Sequence, residues 1–556
     1  MSRWLMALVL LVLLNVVGSR INWKLDLTEE KRYTLTQATQ ELLSEQADPI
    51  YVDVLLEGTF PAGFKRLQDA TRELLDEFRA VNPQILYSFR DPLAGDREEV
   101  EAYLQQLMQV GIRPTELSDR NREGTVKKQI FPYAIFNYGD RQIAINLLEQ
   151  NSPSRTPDQT LNQAIALLEF KMSNAIAKLN ATQKPNILFT SGHGELNSQE
   201  TAGLETNLRA FYNTGRVNLD SVYQIPGTVD LVIVAKPREL FSNRQQFVLD
   251  QYIVNGGNVM FLIDPISVNL DSIQKNNQYI PHDIDLGLDD MFFKYGFRVQ
   301  RDLVLDLECS TIPLQTGMQG GEPQFQMFPW YYHVLAQGNL QHPITKSIER
   351  VNLFFPASID TIKTRTAIRK TPLLTSSPAT RTQMNPVMLD FNILRTDPDP
   401  DKFNKPPSTL ALLLEGSFPS LFENRVSGQM QEMLDEIGSS FKSVGSEGRI
   451  LVVADGDVAR SFINPRDGAA SPPGYNQYMK YAFGNSDFLV NSIEYMLDQR
   501  GLIESRARTI RLRLLDRKRI EQERGYWQIL NVGLPLFALA LFAGIFAFFR
   551  IRRYGR

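Results

Sequence analysis

The residues best placed to do chemistry are few and stand at the ends of apolar runs. After Asn186–Thr190 the chain continues Ser191-Gly192-His193-Gly194-Glu195. A short strand that breaks into glycines is how α/β sheets present ligand groups at strand ends. His193 and Glu195 are therefore candidates for a ligand or partner contact. Asp264 and Asp455 follow two further apolar runs, Val259–Ile263 and Ile450–Ala454, and would reach the same edge from neighbouring strands. Capping the turns that follow is the competing role for both aspartates. Holding its own loop by hydrogen bonds is the competing role for His193. No second His or Cys stands at metal-ligand spacing from it, the other histidines being His282, His333 and His342. The lone cysteine, Cys309 in Asp306-Leu307-Glu308-Cys309-Ser310, lacks the sharp turn and partner histidine of a thiol nucleophile. No metal and no cofactor are expected. No glycine-lysine phosphate loop occurs, so the chain does not hydrolyse ATP by that route.

Two other groups suit recognition rather than catalysis. Leu314–Gln341 is read as an irregular loop in which Phe325, Phe328, Trp330, Tyr331 and Tyr332 stand among glycines. Trp330 and Tyr331 could grip a glycan or a protein partner by stacking, or the loop could pack over its own domain. Arg511, Arg513, Arg517 and Arg519 precede Trp527 near the end of the chain. Those arginines suit a lipid surface or a membrane-embedded partner, with Trp527 as an interfacial anchor.

The membrane is implied by Ile529–Phe549, 21 residues without a charge, followed by Arg550, Arg552, Arg553 and Arg556. That length crosses a bilayer core as a helix. Trp4–Val17, preceded by Arg3, is either a signal-peptide core or a first span, and a retained anchor is the reading adopted. Two spans put both termini on one side and the body on the other. The formal net charge of −4 gives no reason to expect a nucleic-acid partner.

These candidates need elements to position them. Strands are expected at Ile50–Leu56, Ile85–Phe89, Tyr133–Asn137 and Gln142–Leu148, with helices at Phe64–Val81 and Glu98–Val110. A Pro- and Ser-punctuated linker, Asn151–Gln159, leads to a bridging helix over Thr160–Leu179. Further strands are expected at Asn186–Thr190, Leu231–Ala235, Val259–Ile263, Thr409–Leu414 and Ile450–Ala454, with a helix at Arg244–Val254 capped by Gly256-Gly257. Arg365–Pro407 is read as loop-rich. Helices alternating with apolar strands imply a mostly parallel, doubly wound sheet. Thr509–Leu515 alternates as a short strand and Asp516–Trp527 is expected as a basic helix.

The run Leu25-Asp-Leu-Thr-Glu-Glu-Lys-Arg-Tyr-Thr-Leu-Thr36 resembles the segment after the N-terminal membrane helix of GldG-type proteins, auxiliary subunits of a bacterial ABC transporter associated with gliding motility. The order strand, Gly-His-Gly-Glu, strand, helix, Gly-Gly, strand, Asp264-Pro265 is similar to the transporter's extracytoplasmic auxiliary domain, itself related to class I amidotransferase-like and GIFT folds. His342-Pro-Ile-Thr345 and Gly484–Asn491 resemble elements of the same family. The β-α-β-α-β-β order before residue 150, with Phe131-Pro132-Tyr133, is similar to the thioredoxin fold, in which a cis proline precedes that strand. The loop Glu57–Phe64 has no cysteine, so no thiol redox role goes with it.

The resulting expectation is an α/β protein: a thioredoxin-like N-terminal domain plus a doubly wound, amidotransferase/GIFT-like domain, between two terminal transmembrane helices. The divisions are an N-terminal span (1–21), a connector (22–48), the thioredoxin-like domain (49–150), a linker and bridging helix (151–184), the auxiliary domain (185–505), a basic juxtamembrane strand and helix (506–527), a C-terminal span (528–550) and a basic tail (551–556). The resemblance implies a non-catalytic subunit of the bacterial inner membrane with its body in the periplasm. Its partners are an ABC permease, a separate ATPase and the lipid bilayer, with room for a homodimer in the complex. The rival reading is an envelope glycan-binding protein, or an amidotransferase-like hydrolase using His193 with an aspartate.

Overall fold

Leu231–Ala235 is the strand that fixes the architecture. All five of its residues are buried, and they alternate between two cores: Leu231, Ile233 and Ala235 face one, Val232 and Val234 the other. The same alternation holds for Val259–Ile263 and Ile450–Ala454. A strand buried on both faces belongs in the middle of a covered sheet. The computed structural model describes residues 34–555 except 122–123, 149–155, 182, 269, 277, 427, 429–430, 433–440, 499 and 508–516. The expected N-terminal span, the first part of the connector, most of the linker and the short strand at Thr509–Leu515 lie outside the described residues. Among the described residues, those up to Ala507 belong to one compact unit and those from Arg517 onward to another.

The N-terminal part begins with the helix α1 (Gln37–Ser44). Its sheet has strands β1 (Ile50–Val54), β2 (Ile85–Phe89), β5 (Tyr133–Tyr138) and β6 (Arg141–Asn146) in the order β2-β1-β5-β6. β1 and β2 are parallel and the remaining pairs antiparallel. Helices α2 (Ala62–Val81) and α3 (Arg97–Gln109) supply the connections. Between α3 and β5 lies a hairpin that the sequence reading did not anticipate, β3 (Thr115–Asn121) with β4 (Gly124–Ile130). The Phe131–Pro132 bond is trans, since the cis peptide among the described residues is Asn385–Pro386. The proline signature offered for the thioredoxin resemblance is thus absent.

Helix α4 (Pro157–Asn180) starts at a capping box, where Thr156 and Gln159 satisfy each other's backbone N–H groups. It leads to the large sheet of β7 (Asn186–Ser191), β8 (Asn213–Asn218), β9 (Leu231–Ala235), β10 (Asn258–Leu262), β11 (Cys309–Gln319), β12 (Glu322–Gly338), β13 (Val351–Phe354), β14 (Ile368–Thr375), β15 (Thr409–Pro419) and β16 (Val444–Val453). These ten strands run β8-β7-β9-β10-β16-β15-β14-β12-β11, with β13 paired to β12 off the main path. The run from β8 to β16 is parallel and everything beyond β16 is antiparallel. The expected mostly parallel sheet is therefore corrected to a mixed one. Helices α5 (Ala202–Arg209) and α7 (Asn485–Leu497) cover one face, and α6 (Asn243–Val254) covers the other. Gly256 at φ +91° closes α6, as the glycine doublet implied.

Two further expectations are corrected. Leu314–Gln341 is not an irregular loop but most of the long β11–β12 hairpin, turned by Gly320 and Gly321 at positive φ. The aromatic and glutamine-rich arms form strands because alternating side chains fill a pleated surface, whatever the glycines between them suggest. Arg365–Pro407 likewise contains β14 and the strand Thr380–Met384. In the second unit, one helix, α8 (Arg517–Tyr554), runs through Pro535 without a break, so the basic segment and the span form one element. Its stretch Glu523–Arg553 is long and apolar enough to cross a membrane.

Trp330 is fully buried, against Tyr332, Phe355 and Phe391. Truncation to Ala should cost about 3–5 kcal/mol, the usual range for a buried Trp. A urea titration of Trp330→Ala that shows a midpoint equal to wild type would contradict this placement.

Candidate functional site

Parallel strands deliver their carboxyl ends to one edge, and here three of them deliver charge. Lys236 follows β9, Asp264 follows β10, and Asp455-Gly456-Asp457 follows β16. The edge is held in register by the Lys236 N–H, which donates to the Leu262 carbonyl at 2.8 Å, and by the Ile263 N–H, which donates to the Val453 carbonyl at 2.9 Å. Lys236 adopts a left-handed φ of +56°, which turns its side chain along the edge. Its Nζ lies 2.8 Å from Asp264 Oδ2 and 2.5 Å from Asp457 Oδ2. Asp264 Oδ1 also accepts the Gly456 N–H at 2.6 Å. A Cβ on Gly456 would stand 2.6 Å from Lys236 Cγ, so glycine is what lets the two turns meet.

The remaining groups close the cluster. Asp455 is wholly buried and accepts the Asp457 N–H through Oδ1 and the Phe354 N–H through Oδ2, both at 2.8 Å. Arg460 reaches Asp457 Oδ1 at 2.7 Å and Glu200 Oε1 at 2.9 Å. Burial pushes the Asp455 carboxyl well above its usual range, and the neighbouring Asp264 and Asp457 add to this. Burial also acts to raise Asp457, but Lys236 and Arg460 outweigh it and hold that carboxylate low. For Lys236 burial favours the neutral amine, and Asp264 and Asp457 more than reverse this, so the ammonium persists. Asp264 and Asp455 stand at one edge, and Asp455 takes the capping role, its side chain accepting the Asp457 N–H.

His193 and Glu195 lie beside this cluster and are turned inward. The His193 carbonyl accepts the N–H groups of Arg238 and Glu239, at 2.7 and 3.1 Å, which ties the loop after β7 to the one after β9. Glu195 accepts the His193 N–H at 2.6 Å and lies 3.3 Å from its Nδ1. The ring stacks on Phe241 at 3.9 Å, and both His193 and Phe241 are buried. Burial acts to lower the His193 pKa, but hydrogen bonds with Glu195 and Gln245 raise it overall. This is the loop-holding role, with no imidazole nitrogen presented to solvent as a base.

The other sequence candidates do not join the edge. Trp330 and Tyr331 lie in a satellite core with Leu303, Ile312 and Phe403, and Tyr331 meets Phe403 edge-on at 5.9 Å. Stacking on a glycan requires an open ring face, and these two rings are covered. Burial pushes the Cys309 thiol up to about 12, with Asp306 adding to the shift. Trp527 is exposed on α8 and its Nε1–H donates to Glu523 at 2.9 Å. Arg517 and Arg519 stand at the start of α8, while Arg511 and Arg513 lie outside the described residues. The sequence reading missed Lys236, Asp457, Arg460 and Glu200. Lys236 was detectable, because it follows its apolar run as directly as Asp264 and Asp455 follow theirs.

Comparisons with known proteins bear on the same region. Residues 184–492 match the family described as an ABC-type uncharacterized transport system, and residues 29–137 match a domain of unknown function (DUF7088). A protein of Borreliella burgdorferi (strain ATCC 35210 / DSM 4680 / CIP 102532 / B31), described only as an uncharacterized protein, is 21% identical over 414 residues, 73% of this chain and 75% of that one. Among solved structures, the mmIFT52 N-terminal domain aligns over 56% of this chain and 96% of its own at 13% identity, with a TM-score of 0.31. The exo-β-1,4-mannosidase Op5Man5 from Opitutaceae bacterium strain TAV5 aligns over 77% and 51% at 11% identity, with a TM-score of 0.19. At those scores neither structure informs fold or function.

Replacing Lys236 by Met leaves buried carboxylates without their cation and should cost about 3–5 kcal/mol. Adding Asp457→Asn to that variant should recover part of the loss, and strictly additive losses in a denaturant double-mutant cycle would refute the coupling. His193 has a folded pKa raised above the unfolded value of about 6.5, so its contribution is complete below that pH and fades as pH rises through the folded value. The melting temperature of wild type relative to His193→Gln should accordingly be highest at about pH 5–6 and lose that margin at alkaline pH.

Proposed function

The chain belongs to the family of ABC-type uncharacterized transport systems, and on that premise we propose that it is a non-catalytic membrane subunit which associates with an ABC permease and a separate ATPase. The observation that carries this reading is the family match over residues 184–492. The carboxyl edge of the sheet supports the non-catalytic part. At that edge Lys236, Asp264, Asp457 and Arg460 neutralise one another, and His193 is packed under Phe241.

The finer reading is a GldG-type subunit that serves gliding motility or another envelope transport process. Its body lies in the periplasm, and Trp4–Val17 and α8 form two spans of the inner membrane. The order β2-β1-β5-β6, with only the first pair parallel, supports a thioredoxin-like domain over 49–150 despite the trans Pro132. The mixed sheet fits a GIFT-like domain over 185–505. The permease contact would be the basic segment with Arg511, Arg513, Arg517, Arg519 and Trp527. A homodimer within the complex is compatible with this arrangement.

Affinity purification of the tagged full-length chain from its native membrane, followed by mass spectrometry, tests the proposal. A permease and an ATPase should be retained. The variant Arg517→Glu/Arg519→Glu/Trp527→Ala should reduce their recovery several-fold while the chain itself stays in the membrane. Recovery of the chain alone from mild detergent and from lipid nanodiscs would overturn the assignment.

A further inference from the structure

The large sheet closes its usual ligand edge with its own ions, and an open cavity lies elsewhere in the same unit. A cleft of about 680 Å³ is bounded by α4, by β6, by the segment from Ala181 into β7, by Ala210–Tyr212 after α5 and by the end of α7. That volume is within the ~300–1,000 Å³ typical of small-molecule sites. Its floor is apolar and aromatic, with Phe170, Leu179, Phe211, Tyr212 and Ile503. Of these, Phe170, Leu179, Tyr212 and Ile503 belong to the buried set, so the floor is set by packing rather than by loose side chains.

The charges around the floor are unevenly used. Four cations line the cleft, Arg141, Lys178, Lys184 and Arg500, against two carboxylates, Glu494 and Asp498. Both carboxylates are engaged. Glu494 Oε1 accepts from Lys178 Nζ at 2.7 Å and from Asn174 Nδ2 at 3.0 Å. Burial acts to raise Glu494, but Lys178 and Arg506 hold it ionised. Asp498 accepts three backbone N–H groups, from Arg500, Gly501 and Ile503, at 2.8–2.9 Å. On the cationic side, Lys178 is neutralised by Glu494, and Arg500 reaches Glu45 at 2.7 Å. Arg141 and Lys184 donate to the carbonyls of Ala181 and Arg209, at 2.8 and 3.1 Å, and have no carboxylate partner among the described residues. A guanidinium carries five N–H donors and an ammonium three, so both retain donors for an anion.

We infer that this cleft binds a single-chain anionic amphiphile, its alkyl body on the half-buried Ile143, Phe211 and Leu497, which also line the cleft, and its carboxylate or phosphate head at Arg141 and Lys184. A small inorganic anion would leave the aromatic floor uncovered. A neutral lipid would leave the two cations unpaired. The inference does not depend on the transporter reading, since the ligand is recognised by the body alone.

The test uses the full-length chain in phosphatidylcholine nanodiscs, exposed to a diazirine-bearing palmitate, irradiated, digested and mapped by mass spectrometry. Adducts are expected on peptides containing Ile143, Phe211 or Leu497. The matched diazirine hexadecanol should label them at least about tenfold less, a difference of ~1.4 kcal/mol in binding. Arg141→Glu/Lys184→Glu, two exposed positions, should reduce cleft labelling by a similar factor with an unchanged melting temperature. Phe211→Trp should do the same by filling the floor without touching the rim. Competition by unlabelled palmitate against lysophosphatidate then distinguishes a carboxylate head from a phosphate head. Adducts confined to Glu523–Arg553, equal labelling by the alcohol, or undiminished labelling in both variants would each overturn the inference.

Discussion

One buried ammonium determines how the carboxyl edge of the sheet can be used. Lys236 sits at the end of a strand whose five residues are all buried, and an uncompensated charge there would be strongly unfavourable. Asp264 and Asp457 compensate it from the two strands next in line, so the ion pairs also fix the relative register of three strand ends. Asp455, between them in sequence and wholly buried, is driven toward its neutral form because its neighbours already supply the negative charge. Arg460 extends the arrangement to Glu200 ahead of α5, which joins the edge to the helical layer.

That arrangement closes the carboxyl edge of the sheet with the chain's own ion pairs. Open α/β sheets bind ligands beyond the carboxyl ends of their strands because the loops there diverge and leave backbone groups unpaired. In this chain the same loops converge. The His193 carbonyl takes two N–H groups from the loop after β9, and Asp264 takes one from the loop after β16. The groups that would meet a substrate meet each other. A cleft is left where the N-terminal part, α4 and the end of α7 come together.

Much of this was legible in the sequence, and the failures have physical causes. β9 was placed to the residue, and α6, β7 and β10 to within one, because continuous β-branched runs and glycine stops are local signals. Strand direction is not local, so the antiparallel extension by β15, β14, β12 and β11 was invisible to a reading based on helix–strand alternation. The β3–β4 hairpin was missed because Thr115–Ile130 is polar and carries no period-two apolar pattern. At the candidate site, His193, Glu195, Asp264 and Asp455 were singled out because they follow strands, yet their inward orientation depends on tertiary partners. Trp330 and Tyr331 failed for a related reason: a glycine-rich, aromatic segment has the same composition whether it is an open loop or one arm of a paired hairpin over a core.

Helix α4 holds both ends of the body. One stretch of it packs with the core of the N-terminal part through Leu161, Leu168, Met172 and Ile176, while Lys178 pairs with Glu494 of α7 in the large sheet's helical layer. At the start of the described chain, the Thr36 N–H and hydroxyl donate to Glu169 of α4 at 2.6 and 2.8 Å. At the far end of the same unit, Leu502 joins the core that α4 covers, and Arg500 meets Glu45 at 2.7 Å. The chain therefore enters and leaves its body at one helix, although more than 450 residues separate Glu45 from Arg500. Thr36 meets Glu169, and the Arg506 guanidinium lies 5.1 Å from the ring centroid of Phe170, so these two segments of the body meet adjacent residues of α4. The two ends are held together by buried apolar contact and by an ion pair that is largely exposed. Since exposed pairs contribute only about 0–1 kcal/mol, the apolar contacts on α4 must do most of the holding.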